Sequence, residues 1–155
     1  MRAEPAVEIR RAEVSDLDLL VPLFDAYRRF YDQPGGPALA REYLAARLAR
    51  QESIVLLAVS GATGYGFVQL YPSFCSVVAR PIWILYDLFV SPAVRGRGHG
   101  RHLMEAARNF AASTGAQRLV LSTAENNRTA QSLYESLGYR QDTVFRHYEL
   151  TLQDP

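Results

Sequence analysis

Between Arg95 and Gly100 the chain reads Arg-Gly-Arg-Gly-His-Gly, so glycine alternates with cationic or ionisable side chains. Glycine lets backbone approach a ligand closely and adopt dihedrals other residues avoid. A helix pattern starts at once behind it, and the first helical N–H groups have no intrahelical acceptor. Loop and helix start together form a cradle for phosphate or pyrophosphate, with Arg95, Arg97 and Arg101 adding charge. The residues alone also fit a plain glycine-rich turn. The Walker A loop is excluded, since no Gly-Lys-Ser/Thr follows and the chain has no Lys. The dinucleotide fingerprint fails too, because Gly96, Gly98 and Gly100 give G-x-G-x-G late in the chain. Tyr27, Phe30, Tyr31 and Asp32 close an amphipathic stretch. They fit a core face, or a cage of aromatic rings that, with Asp32, suits a cation. His99, His102 and His147 lack metal-ligand spacing, so no metal is expected. Cys75 stands alone, without a His–Asn pattern to activate it, and reads as an inert thiol.

The elements that must position these residues are legible from periodicity. Val7–Arg10 alternates as a short strand. Ser15 offers an N-cap, and Leu19, Leu20, Leu23, Phe24, Tyr27, Phe30 and Tyr31 recur at helical spacing. Gln33-Pro34-Gly35-Gly36-Pro37 breaks that helix, and a second runs from Ala38 to Arg50. Ile54–Val59 and Tyr65–Tyr71 read as a hairpin. Pro72–Pro81 connects them to a strand over Ile82–Val90. The glycine loop leads into a helix that Gly115 caps. Leu119–Leu121 is a strand, Thr129–Leu137 a short helix ended by Gly138, and Val144–Leu152 a final strand. The order β-α-α-β-β-β-α-β-α-β predicts an α/β fold: one mixed central sheet of six or seven strands with four helices.

The chain has 155 residues, 48% hydrophobic and 21% charged, which suits a single domain over 1–155. All 17 basic residues are Arg, against 16 acidic ones, for a net charge of +1. That balance argues against a nucleic-acid partner. A lone cysteine fits a reducing compartment. Met1–Arg11 lacks the apolar run of a leader, and no stretch is long enough for a membrane span. A cytoplasmic protein with no membrane partner is the expectation.

The loop also matches Arg/Gln-x-x-Gly-x-Gly/Ala, the acetyl-CoA motif of the GNAT N-acetyltransferase superfamily. Leu88-Phe89-Val90-Ser91-Pro92 resembles that family's fourth strand and its exit. Asn127, Ala130, Tyr134, Gly138 and Tyr139 match its pattern Asn-x-x-Ala-x-x-x-Tyr-x-x-x-Gly-Phe/Tyr. The resemblance covers Ile54–Leu152 closely and Val7–Arg50 in element order. The Tyr27-x-x-Phe30-Tyr31 stretch resembles a small-amine and histone-type subgroup.

The resemblance implies acetyl-CoA as co-substrate and direct attack of a primary amine on the thioester. It implies pantetheine pairing at Leu88, Phe89 and Val90, and pyrophosphate on the backbone of Gly96, Arg97, Gly98, His99, Gly100 and Arg101, with Arg95 and Asn127 also at the cofactor. Asn127 fits a helix N-cap as well. Tyr134 corresponds to the general acid toward the CoA thiolate, a sensible match of a phenol to a thiol. The acceptor, a small-molecule or protein amine, would lie against Tyr27, Tyr31 and Asp32. Its proton needs an acceptor. In the polyamine-acetyltransferase branch the strand reads Tyr-Leu-Glu-Asp-Phe-Phe-Val, and here Tyr86 occupies the place of that Glu. Asp87 matches the following Asp, but alternation turns it to the other sheet face unless a bulge rotates it. A water chain ending on Tyr86, Glu125 or backbone carbonyls is the other route. Transfer of a different acyl group, or a CoA-binding sensor without turnover, fits the same fold. Members are often homodimers.

Overall fold

The computed structural model describes residues 6–154. Residues 1–5 and Pro155, which belong to the expected domain over 1–155 and, at the start, to the Met1–Arg11 stretch expected to hold no leader, lie outside them. The chain forms two compact units, one ending at Ser122 and one starting at Thr123.

In the first unit five strands build one sheet in the order β1-β2-β3-β4-β5. These are β1 (Glu8–Arg11), β2 (Ile54–Ser60), β3 (Thr63–Cys75), β4 (Arg80–Val90) and β5 (Leu119–Val120). β1 to β4 pair antiparallel in turn, and β5 lies parallel to β4. Three helices accompany the sheet: α1 (Leu17–Phe30), α2 (Pro37–Ala49) and α3 (His99–Ser113).

β2 is buried along its whole length, so its apolar run has helices to cover both faces. Val55, Leu57 and Val59 join Leu20, Leu23 and Phe24 of α1 and Leu44 of α2 in one core. Leu103, Met104, Ala107 and Ala111 of α3 are buried too, and Phe110 meets Trp83 of β4 edge-on at 5.2 Å. Burial of such side chains, about 1.5–3 kcal/mol each, fixes the two layers against the sheet.

Several boundaries differ from the sequence reading. A 3-10 turn at Val14–Asp16 precedes α1, so Ser15 is no cap; the Glu13 N–H donates to Asp16 Oδ2 at 2.8 Å instead. β3 continues through Pro72 to Cys75, where a loop was expected, because β4 keeps pairing to Arg80. Cys75 accepts a 3.2 Å contact from Arg118.

The second unit holds α4 (Arg128–Ser136), which ends at Gly138 with φ of +92°. The expected strand Val144–Leu152 is not formed. Val144, Phe145, Tyr148, Leu150 and Leu152 are exposed. A strand exists only through a ladder with a neighbour, and the described residues of this unit contain no strand to pair with. Among the described residues the sheet therefore has five strands rather than six or seven. No described helix is long and apolar enough to cross a membrane.

Candidate active site

The decisive local feature is a bulge in β4. Asp87 pairs with Gln69, yet Leu85 pairs with Leu70, so Tyr86 is an extra residue without a partner in β3. The bulge brings two consecutive side chains, Tyr86 and Asp87, to one cavity. This is the rotation that strict alternation denied Asp87.

Asp87 is buried, as are Gln69 and Ser53. The Ser53 hydroxyl donates to Gln69 Oε1 at 2.8 Å, which fixes the amide so that its Nε2 donates to Asp87 Oδ2 at 2.6 Å. The Tyr27 hydroxyl also hydrogen-bonds the Asp87 carboxylate. Burial pushes the Asp87 carboxyl above its ordinary value, and the bonds from Tyr27 and Gln69 oppose that push. Burial, and then the Asp87 charge, raise the Tyr27 phenol, which keeps it a donor. Tyr31 and Tyr71 are raised by burial as well, with Asp87 contributing.

The cavity, about 310 Å³, is lined by Phe24, Tyr27 and Arg28 of α1, Leu39, Ala40 and Tyr43 of α2, and Tyr86 and Asp87 of β4. Tyr43 stacks on Phe24 at 5.7 Å and shares a 2.6 Å hydrogen bond with the Tyr71 hydroxyl. Tyr71 in turn meets Tyr86 edge-on at 5.7 Å. Tyr31 packs against Tyr27 at 5.1 Å but is not part of the lining. Asp32 is exposed just past α1, with φ of +59°, and does not join the cavity. The carboxylate of the aromatic cluster is therefore Asp87, not Asp32, because α1 ends at Phe30 and Asp32 lies past it in the exposed turn.

At the other end of β4, pairing with β5 stops at Ile84–Val120 while pairing with β3 runs on to Val90. The edge from Leu85 onward has no strand beside it among the described residues. The Ser91 N–H donates to Tyr65 O at 2.8 Å, on the β3 side. Alternation then turns Phe89 toward β3, and Leu88 and Val90 toward the open edge. Arg95 folds back, donating from Nε to Val90 O at 2.9 Å and lying 5.5 Å over the Phe89 ring. It braces the strand exit rather than standing free in the loop. Gly98 is the N-cap of α3 with φ of +85°, and its carbonyl accepts from His102 at 3.1 Å. The backbone N–H groups ahead of His102 then lack intrahelical acceptors. His99 is buried, its ring against Tyr65 at 5.4 Å. Arg97 and Arg101 are exposed.

In the second unit Asn127 caps α4, its Oδ1 accepting from Ala130 N at 3.2 Å. Tyr134 lies on α4, with its ring 6.0 Å from that of Tyr139.

The Acetyltransferase (GNAT) family model matches residues 20–139. An uncharacterized N-acetyltransferase of Bacillus subtilis (strain 168), YhfO, is 45% identical over 146 residues, which cover 94% of this chain and 98% of that one. The chain belongs to the GNAT acetyltransferase family. A probable acetyltransferase of Haemophilus influenzae is 31% identical and covers 94% of this chain and 99% of its own. A crystal structure of another probable acetyltransferase superposes with a TM-score of 0.91 at 40% identity, covering 96% of this chain and 99% of that chain.

This GNAT protein is thus an acyltransferase, and its family moves the acetyl group of acetyl-CoA to amine acceptors. The loop geometry fits such a co-substrate. Left-handed glycines at Gly96 and Gly98, the start of α3 and exposed Arg97 suit a pyrophosphate, and the open β4 edge suits an amide-bearing arm. Among the described residues no group of three His, Cys, Asp or Glu is placed to hold a metal. Gln69, Ser53, Arg28, Tyr43 and Tyr71 were not singled out from the sequence. The signal for Gln69 was present: it is the polar residue inside the run Phe67-Val68-Gln69-Leu70.

Proposed function

We propose that the chain, acting as one domain, acetylates a small primary amine held in the α1–α2 cavity. Support comes above all from the β4 bulge, which presents a buried, doubly hydrogen-bonded Asp87 to an aromatic-walled space. An ammonium is attracted by that carboxylate and by the ring faces. Asp87 accepts the ammonium proton, and burial makes its carboxylate a stronger base than a solvated one. The freed amine nitrogen attacks the thioester carbonyl carbon. A C–N bond forms, the C–S bond breaks, and Tyr134 supplies a proton to the departing thiolate; the second proton that the nitrogen sheds on becoming an amide passes through solvent and restores the Tyr134 phenol. Support for Tyr134 comes from the spaced motif that carries it. Leu88, Val90 and the Gly96–Arg101 backbone hold acetyl-CoA, with Arg95 bracing the strand exit.

The test is thiol release from acetyl-CoA across a panel of primary amines, from diamines and amino acids to peptide N-termini. Turnover of small amines is expected. Tight acetyl-CoA binding with no turnover on any amine would sink the proposal. Tyr134→Phe is expected to lower kcat by roughly 10- to 100-fold while the acetyl-CoA KM stays within about twofold. Collapse of cofactor binding instead would remove Tyr134 from the acid role.

A further inference from the structure

Arg28 shares the cavity with Asp87 but has a different set of neighbours. Phe24, Tyr27 and Arg28 stand three and four residues apart on α1, so they cover one helix face. Arg28 Nη1 is buried and makes no hydrogen bond among the described residues. A Cβ at Gly36 would sit 3.6 Å from that nitrogen, which places it beneath the start of α2. The carboxylate nearest in sequence, Asp25, feels the Arg28 charge but spends its hydrogen bonds elsewhere. Its Oδ1 accepts from the Gly36 N–H at 2.7 Å and its Oδ2 from Arg29 Nε at 3.1 Å. Asp87 is held by Gln69 and Tyr27 instead. A buried guanidinium N–H without an acceptor is costly, and an ionised partner relieves it best.

We infer that the acceptor is an amine that also carries a carboxylate, its ammonium at Asp87 and its carboxylate at Arg28. This rests on the reading of the cavity as the acceptor site. Opposite charges at two stations of one space of about 310 Å³ match a small zwitterion better than a diamine. A diamine would bring a second cation toward Arg28, at an electrostatic penalty.

Matched pairs differing only in the carboxylate decide the matter: L-lysine against cadaverine, and L-ornithine against putrescine. The wild type is expected to favour the amino acid by roughly 10- to 100-fold in kcat/KM, the worth of a charge-assisted bond. Arg28→Met should bring that ratio to about one, and Arg28→Lys should keep part of it. Equal or better use of the diamines by the wild type would overturn the inference, as would a ratio that survives Arg28→Met. If Arg28→Met fails to fold by circular dichroism, Arg28→Gln and Arg28→Lys are read by the same ratio. Thermal stabilisation by L-lysine is the second readout. Stabilisation of the wild type but not of the Arg28 variant, with no turnover of either partner, would sustain a zwitterion site while removing the catalytic reading of the cavity. No stabilisation and no turnover would overturn both. Turnover of both partners that survives Asp87→Asn would take the ammonium away from Asp87 and overturn the cavity reading and this inference with it.

Discussion

Asp87 holds its carboxyl in a place that disfavours charge. Its folded pKa is raised, so the protonated form is the one that burial favours. Stability from such a group is fully present below the unfolded carboxyl pKa and is lost as pH rises through the raised folded value. The loss is complete once the pH stands above that folded value. Asp87→Asn keeps an oxygen for Gln69 and removes the desolvated charge, so its Tm at pH 7 is expected to equal or exceed that of the wild type. Its kcat/KM should fall roughly 100-fold or more, with the acidic limb of the pH–rate profile gone. Gln69→Leu acts through Asp87. It deletes a bond that lowers the Asp87 pKa, so the acidic limb should move to higher pH rather than vanish. A fall in Tm with activity retained in Asp87→Asn would make this carboxylate structural.

At the scale of elements, backbone geometry sets both halves of the site. Gly98 ends the loop in the left-handed region, and the nearest atom to an added Cβ is His102 Cε1 at 3.9 Å. Space is therefore available, and the obstacle to a side chain is the dihedral, about 1–2 kcal/mol for an L-residue. Gly98→Ala is expected to lose about 1 kcal/mol of stability by denaturant titration and to raise the acetyl-CoA KM several-fold, with acceptor preference unchanged. An unaltered KM would show that the loop does not shape the cofactor site. This loop was legible in the sequence because glycine spacing and a helix start are local signals, as were the Asn127 cap and the position of Tyr134 on α4. The bulge was not. It arises from the register of β4 against β3, where Tyr86 finds no partner, and register is a property of two strands together. Ser53 and Gln69 were hidden for the same reason, being 16 residues apart in sequence and joined only across the β2–β3 pair. The alternation of Val144–Leu152 misled because a strand pattern does not supply its own partner.

Across the whole molecule the charge of +1 conceals a division. From Arg95 to Arg108 there are four Arg and one Glu, so the remainder of the chain is net acidic. A polyanionic co-substrate is thus met by the complementary sign, as the cation-bearing acceptor proposed above would be. Arg97, Arg101 and Arg108 are exposed, so their field is screened over about 10 Å at 0.1 M salt. The fold depends little on such charges: its core is apolar, and exposed ion pairs such as Arg41–Asp18 contribute at most about 1 kcal/mol. The acetyl-CoA KM is therefore expected to rise steadily between low and moderate KCl while the Tm changes little. Arg97→Gln should raise that KM at low salt and flatten its salt dependence, since one of the screened charges is gone. A KM insensitive to salt would mean that backbone amides alone hold the phosphates. A Tm that fell in step with the KM would mean instead that salt acts on the fold, and the separation of binding charge from folding core would fail.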